Sequence, residues 1–356
     1  MLFRGALKPD AAREFAAVRG RAPDAGSGDA AARGGTPDGA CSADSSSFGM
    51  AELKDGLARL RRTYPDAAEV RVIGHSVLGR PIYAVGVGSG PRRVFVGGAF
   101  HANEWITAPL ALGFVRDALA ALYGGAADDF NENAKPDARR LRRLFGDDAA
   151  ALFRRVTLWT APIVNPDGVE LVLRGADSAG ELRERLIAMN GGSRDFSGWK
   201  ANARGVDLND QFPAYWEDER RRRAVPGPGP RDYTGEAPLT EPEAQAVARF
   251  TEEMDFALVA ALHTQGREIY WNYRDEEPPE AERIARRMAA ASGYEAVRLT
   301  GSDAGYKDWF IHRFRRPGFT IEAGFGVNPL PVSQLPAMYE EVSAILAEAL
   351  AAAETQ

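Results

Sequence analysis

From residue 50 onward, short runs of β-branched and aromatic residues alternate with stretches that carry leucine or alanine at helical spacing. This alternation leaves few architectures open. Residues 51–62 put Leu53, Leu57 and Leu60 on one helical face. Residues 70–77 and 82–87 flank Leu78-Gly79-Arg80-Pro81 and read as a hairpin. Residues 93–98 predict a buried strand followed by a helix over 107–122. Residues 156–164 predict a second buried strand, ending at the turn signal Asn165-Pro166-Asp167-Gly168. A helix over 241–254, with Thr240 and Glu243 spaced as a capping box, leads to a strand over 256–262. A helix over 280–291 precedes a strand over 318–321, and residues 331–353 predict a long last helix, broken near Pro336. The polar stretches 124–147 and 177–197 read as loops with short helices. Strands alternating with helices give an α/β chain whose mostly parallel sheet is covered on both faces. In such sheets functional groups collect past the carboxyl ends of the strands.

Composition narrows the partners. The net charge of -6 argues against nucleic acid, and the arginine run 220–223 reads as a solvated loop. One cysteine, Cys41, allows no disulfide within the chain. The sequence has no apolar run of about 18 residues, so no membrane span is expected. The first residues, Met-Leu-Phe-Arg-Gly, lack the apolar core of a secretory signal, and a cytoplasmic location is the expectation. Residues 1–47 are rich in Ala, Gly, Asp, Arg and Ser and are expected to be disordered, with a catalytic domain over 48–356. Met50 is an alternative start.

Four side chains at the ends of these runs carry chemistry. His101 and Glu104 lie three residues apart, close to one helical turn; His263 closes the run 256–262, and Glu322 closes 318–321. Two imidazoles and a carboxylate suffice to hold a catalytic zinc with one coordination position open. Glu322 can then act as proton acceptor. Asp207 is a candidate to orient His101, since a metal-bound imidazole usually donates its other N–H to a carboxylate. His75 and His312 read as surface or satisfied core residues.

Taken together, these residues resemble the zinc carboxypeptidase family. The matching pieces are His101-Ala-Asn-Glu104-Trp-Ile-Thr, Asn165-Pro-Asp-Gly168, Gly205-Val-Asp-Leu-Asn209, Leu262-His263-Thr264, Asp308-Trp309 and Phe319-Thr-Ile-Glu322, in the family's order. The resemblance spans roughly residues 50–350. It implies a three-layer α/β/α fold around a central eight-stranded mixed, mostly parallel sheet. It also implies one zinc ion on His101, Glu104 and His263, with Glu322 as general base. By position, Lys200 resembles the family's electrophilic arginine, which would stabilise the oxyanion, and Arg204 is the alternative. Asn209 would hold polar groups of the substrate. Within the family, residues 198–214 and 304–310 are similar to bacterial γ-D-glutamyl-L-diamino-acid endopeptidases, which cut peptidoglycan stem peptides before meso-diaminopimelate. The implied substrate is a peptide or muropeptide.

The chain departs from ordinary carboxypeptidases at three points. Asp210 stands after Asn209 where they carry the arginine that grips a free C-terminal carboxylate. Lys307 stands at the position that resembles the floor of the family's specificity pocket. Asp210 and Lys307 are therefore expected to receive the ammonium and the carboxylate of the diamino acid; alternatively, they pair with each other. Thr300 occupies the place of the family's mobile tyrosine, and Tyr306 is a candidate cover for the site. Two rival functions stay open. One is a carboxypeptidase trimming ordinary peptides, and the other is a metal-free wall-peptide binding protein. A serine hydrolase is disfavoured, because no Gly-x-Ser-x-Gly elbow occurs.

Overall fold

The computed structural model describes residues 47–124 and 137–355. The N-terminal segment expected to be disordered lies outside them apart from its last residue. The first helix, α1 (Met50–Thr63), buries Leu53, Leu57 and Leu60 as their spacing predicts. The hairpin follows as β1 (Ala68–His75) and β2 (Pro81–Val87). Next come β3 (Arg92–Gly97), α2 (Thr107–Tyr123), α3 (Ala138–Phe145), α4 (Ala149–Arg155) and β4 (Val156–Ala161). After these lie α5 (Pro166–Arg174), α6 (Arg183–Met189), α7 (Trp216–Arg223), α8 (Pro242–Met254), β5 (Leu258–His263) and β6 (Glu268–Tyr270). The chain ends through α9 (Ala281–Ser292), β7 (Glu295–Val297), α10 (Tyr306–Phe314), β8 (Gly318–Glu322) and α11 (Leu335–Glu354).

The eight strands form one sheet in the order β1-β2-β4-β3-β5-β8-β6-β7. Its centre, β4-β3-β5-β8, is parallel, whereas β1-β2, β2-β4 and β6-β8 pair antiparallel. The central strands are near-continuous apolar runs because both faces are covered. Side chains alternate between the faces. Val94, Val96, Leu258, Ala260, Leu262, Phe319 and Ile321 enter one core, closed by α1, α2, α9 and α11. Phe95, Trp159, Ala161, Val259 and Ala261 enter the other, closed by α8 and α10. No helix among the described residues is long and apolar enough to cross a membrane.

Several local expectations are corrected. The strand over 156–164 stops at Ala161, because Pro162 has no N–H to give the ladder. Asn165-Pro166 opens α5 instead of a turn: the Asn165 side chain accepts from Gly168 N at 3.0 Å, and proline fills the first helical position. The capping box at Thr240 does not form. Glu241 is the N-cap, and the Glu243 carboxylate turns inward to Val77 N at 3.1 Å and Asn202 at 3.2 Å. Pro336 does not break the last helix but sits in the first turn of α11. The arginine run is no solvated loop, for it ends α7, where Arg222 pairs with Glu219 and Asp303 and Arg223 with Asp210, Glu219 and Asp232.

Candidate metal centre

The segment that leaves β3 is tightly guided to the carboxyl edge of the sheet. A Cβ on Gly98 would lie 2.7 Å from Pro162 O, so only glycine lets the chain pass the end of β4. Thr107 Oγ1 accepts from Ala99 N at 2.8 Å and donates to Glu104 O at 2.8 Å, which ties off the loop. His101 and Glu104 bracket a single turn of 3-10 helix, and that turn brings both side chains to one point. His263 is the last residue of β5 and Glu322 the last of β8, and the two are register partners.

His101, Glu104 and His263 are all buried, and one donor atom from each lies within 4.8 Å of the others. Glu104 Oε1 is 2.9 Å from His101 Nδ1, and Oε2 is 2.9 Å from His263 Nδ1. The two Nδ1 atoms are 3.2 Å apart. Arms of about 2.1 Å at tetrahedral angles would set such donors roughly 3.4 Å apart, so the cluster needs to open by only about half an ångström to hold zinc. The donor set therefore fits the ion in chemistry and spacing. On its other edge, His101 Nε2 meets Asp207 Oδ1 at 3.1 Å, an arrangement that leaves Nδ1 to face inward.

Charge at this edge is strongly coupled. Burial pushes the His101 imidazole down, but the Glu104 and Asp207 carboxylates outweigh burial and the Lys200 cation, and hold it at about 9. Burial pushes Glu104 up, yet His101 and His263 bring it far below the usual carboxylate range. His263 is lowered, chiefly by burial. Burial and the Glu104 carboxylate push Glu322 up to about 8, against Lys200 and His101.

The remaining predicted residues divide. Lys200 is brought in: Ala102 N donates to its carbonyl at 2.9 Å, and its Nζ lies 3.9 Å from Glu104 Oε1. Arg204 is not, because its guanidinium turns to Glu241 at 3.5 Å and is half exposed. Asn209 Oδ1 accepts from Tyr306 N at 3.2 Å, fixing the start of α10 against the 3-10 turn that follows Asp207. Tyr306 does not cover the site. It is fully buried among Phe95, Phe100, Phe212 and Trp309, with its hydroxyl on Thr251 at 2.8 Å. Asp210 and Lys307 are both buried and do not pair with each other. Arg223 Nη2 donates to Asp210 Oδ1 at 3.0 Å and its Nε lies 2.9 Å from Oδ2, so Asp210 is not free for a substrate ammonium. Lys307 Nζ donates to Asn272 O at 2.7 Å and to the Asp308 carboxylate. His75 is exposed and His312 faces Glu276 at 2.6 Å, both away from the cluster. Sequence reasoning missed Asn328, whose Nδ2 reaches Glu104 Oε1 at 3.5 Å from a loop that carries no local signal.

A buried His–Glu–His cluster at the carboxyl edge of a parallel sheet, with a second carboxylate on the neighbouring strand, defines a class of metallohydrolase. The chain belongs to the zinc carboxypeptidase family, whose model matches residues 53–344. It is a zinc metallopeptidase, and its family works with one zinc ion. Among its relatives, Gamma-D-glutamyl-L-diamino acid endopeptidase 1 of Lysinibacillus sphaericus is 45% identical over 293 residues, covering 82% of this chain and 69% of that protein. The uncharacterized protein YqgT of Bacillus subtilis (strain 168) is 40% identical over 284 residues, covering 79% and 71%. The crystal structure of thrombin activatable fibrinolysis inhibitor has the same fold, with a TM-score of 0.67, 20% identity and coverage of 88% and 77%.

Proposed function

We propose that the chain hydrolyses the amide between the γ-carboxyl of D-glutamate and meso-diaminopimelate in peptidoglycan stem peptides or muropeptides. The observation that carries this reading is Asp210. It stands where a carboxypeptidase needs a free guanidinium, and Arg223, the cation beside it, is already committed to Asp210, Glu219 and Asp232. A substrate that continues beyond the cleaved bond needs no such grip. The similarity to the Lysinibacillus sphaericus endopeptidase supports the same substrate class. We keep the cytoplasm as the proposed location, with soluble muropeptides as the substrate pool.

His101, Glu104 and His263 would hold the zinc, which supplies Lewis acidity toward the scissile carbonyl. Asp207 keeps His101 in the tautomer that presents Nδ1. Glu322 takes a proton from the attacking water and returns it to the leaving amine. Lys200, and not Arg204, supplies the positive charge that the tetrahedral oxyanion needs. Asn209 orients polar groups of the substrate. Lys307 has two of its three N–H donors engaged by described residues, and the third is offered to the carboxylate of the diamino acid.

A stem peptide with an amidated C-terminus tests the reading. The zinc-loaded chain is expected to split it before diaminopimelate, as read by mass spectrometry. Release of single residues from free C-termini, with the amidated peptide left intact, would overturn the proposal in favour of a carboxypeptidase. Glu322→Gln is expected to retain zinc and lose at least about 10²-fold in turnover.

A further inference from the structure

The loops that follow β5 and β8 are joined along their length. Ala323 N donates to His263 O at 2.8 Å, Gly266 N to Gly324 O at 2.9 Å, and Gly326 N to Gln265 Oε1 at 3.3 Å. Asn328 closes the seam. Its Oδ1 accepts from Thr264 Oγ1 at 2.7 Å, and its Nδ2 donates to Thr264 O at 3.0 Å and points on to Glu104 Oε1 at 3.5 Å. Thr264 N approaches the other oxygen, Oε2, at 3.3 Å. Glu104 takes its two short contacts from the imidazoles, each at 2.9 Å. Were both Nδ1 atoms to hold a metal, those donors would be lost to Glu104. The donors left around it would be Thr264 N, Asn328 Nδ2 and Lys200 Nζ, the last at 3.9 Å.

We propose that Asn328, held in place by Thr264, is the positioning residue that fixes the Glu104 carboxylate as a metal ligand. Carboxylates that bind metals are themselves hydrogen-bonded, and loss of such a partner typically weakens metal binding about 10–100-fold. Because Asn328 serves Glu104, Lys200 stays available to the substrate. The same loop carries Phe325 and Val327, which are 54% and 85% exposed.

The inference rests on Glu104 being a zinc ligand, and its test reads zinc instead of peptide cleavage. Zinc dissociation constants of the full chain are measured by competition with a chromogenic chelator. Asn328→Ala is expected to raise the constant about 10–100-fold. Thr264→Val, which removes one of the two hydrogen bonds that hold the amide, is expected to raise it at least about threefold, a smaller loss of the same kind. A parent chain that binds zinc, with Asn328→Ala within about threefold of it, overturns the role of Asn328 alone. A parent chain that takes up no zinc overturns the metal site and this role together. If Asn328→Ala does not fold, Thr264→Val decides by the same threefold limit.

Discussion

Glu243 shows how far a single side chain can depart from what its spacing suggests. Its distance from Thr240 fits a solvated capping box, but the structure buries it fully against Val77 and Asn202. Burial there pushes its carboxyl up from 4.5 to about 7. Between those values the native chain holds a proton that the unfolded chain has released. Its contribution to stability is thus complete below the lower value and is lost as pH rises through the upper one. Glu243→Gln mimics the protonated form and should narrow the fall in melting temperature from pH 5 to pH 8 by at least about 2 °C. An unchanged pH profile in thermal melts would count against this account. The residues with metal chemistry were legible because His263 and Glu322 each close a recognisable apolar run, and His101 and Glu104 lie three residues apart just past another. Asn328 was not legible, since its role depends on where a loop folds back across 224 residues of sequence to Glu104.

At the scale of elements, the long strands and helices could be read from their apolar spacing. The failures fell where charge pairing decides the conformation. Helix α7 has almost no apolar stripe and reads as a charge run; it forms because Glu219 accepts from Asp303 N, Arg222 pairs with Asp303 and Arg223 with Asp210, all buried partners on other segments. The short strands β6 and β7, three residues each, are too brief for a periodicity; β6 exists by pairing with β8, and β7 by pairing with β6. Arg223 anchors α7 on Asp210, which is 2% exposed. Removing one partner of a buried pair costs about 3–5 kcal/mol, and the partial exposure of Arg223 puts this case at the low end. Arg223→Met should lower urea stability accordingly, and adding Asp210→Asn should recover part of the loss. Additive losses in the double variant would show that the two groups do not depend on each other.

For the whole molecule, the three candidate ligands come from segments 162 residues apart in sequence, His101 to His263, so zinc binds only the folded chain. Free zinc at 100 times its dissociation constant would stabilise the fold by about 2.7 kcal/mol. Against burial, the Glu104 and Asp207 carboxylates favour the protonated His101 imidazole, raising it to about 9, and a proton there competes with zinc. The rise in melting temperature on adding zinc to chelator-stripped protein should therefore be larger at pH 8 than at pH 6. An equal rise at both would argue against His101 as a ligand. The register partnership of His263 and Glu322 has a broader consequence. The main chains that carry the His263 imidazole and the Glu322 carboxylate are one rung of the β-ladder apart, about 4.8 Å, set by main-chain hydrogen bonds. Insertions in the surrounding connections can therefore reshape which peptide is admitted while the bond-breaking step keeps its dimensions. A scaffold of this kind can diversify its diet without retuning its chemistry.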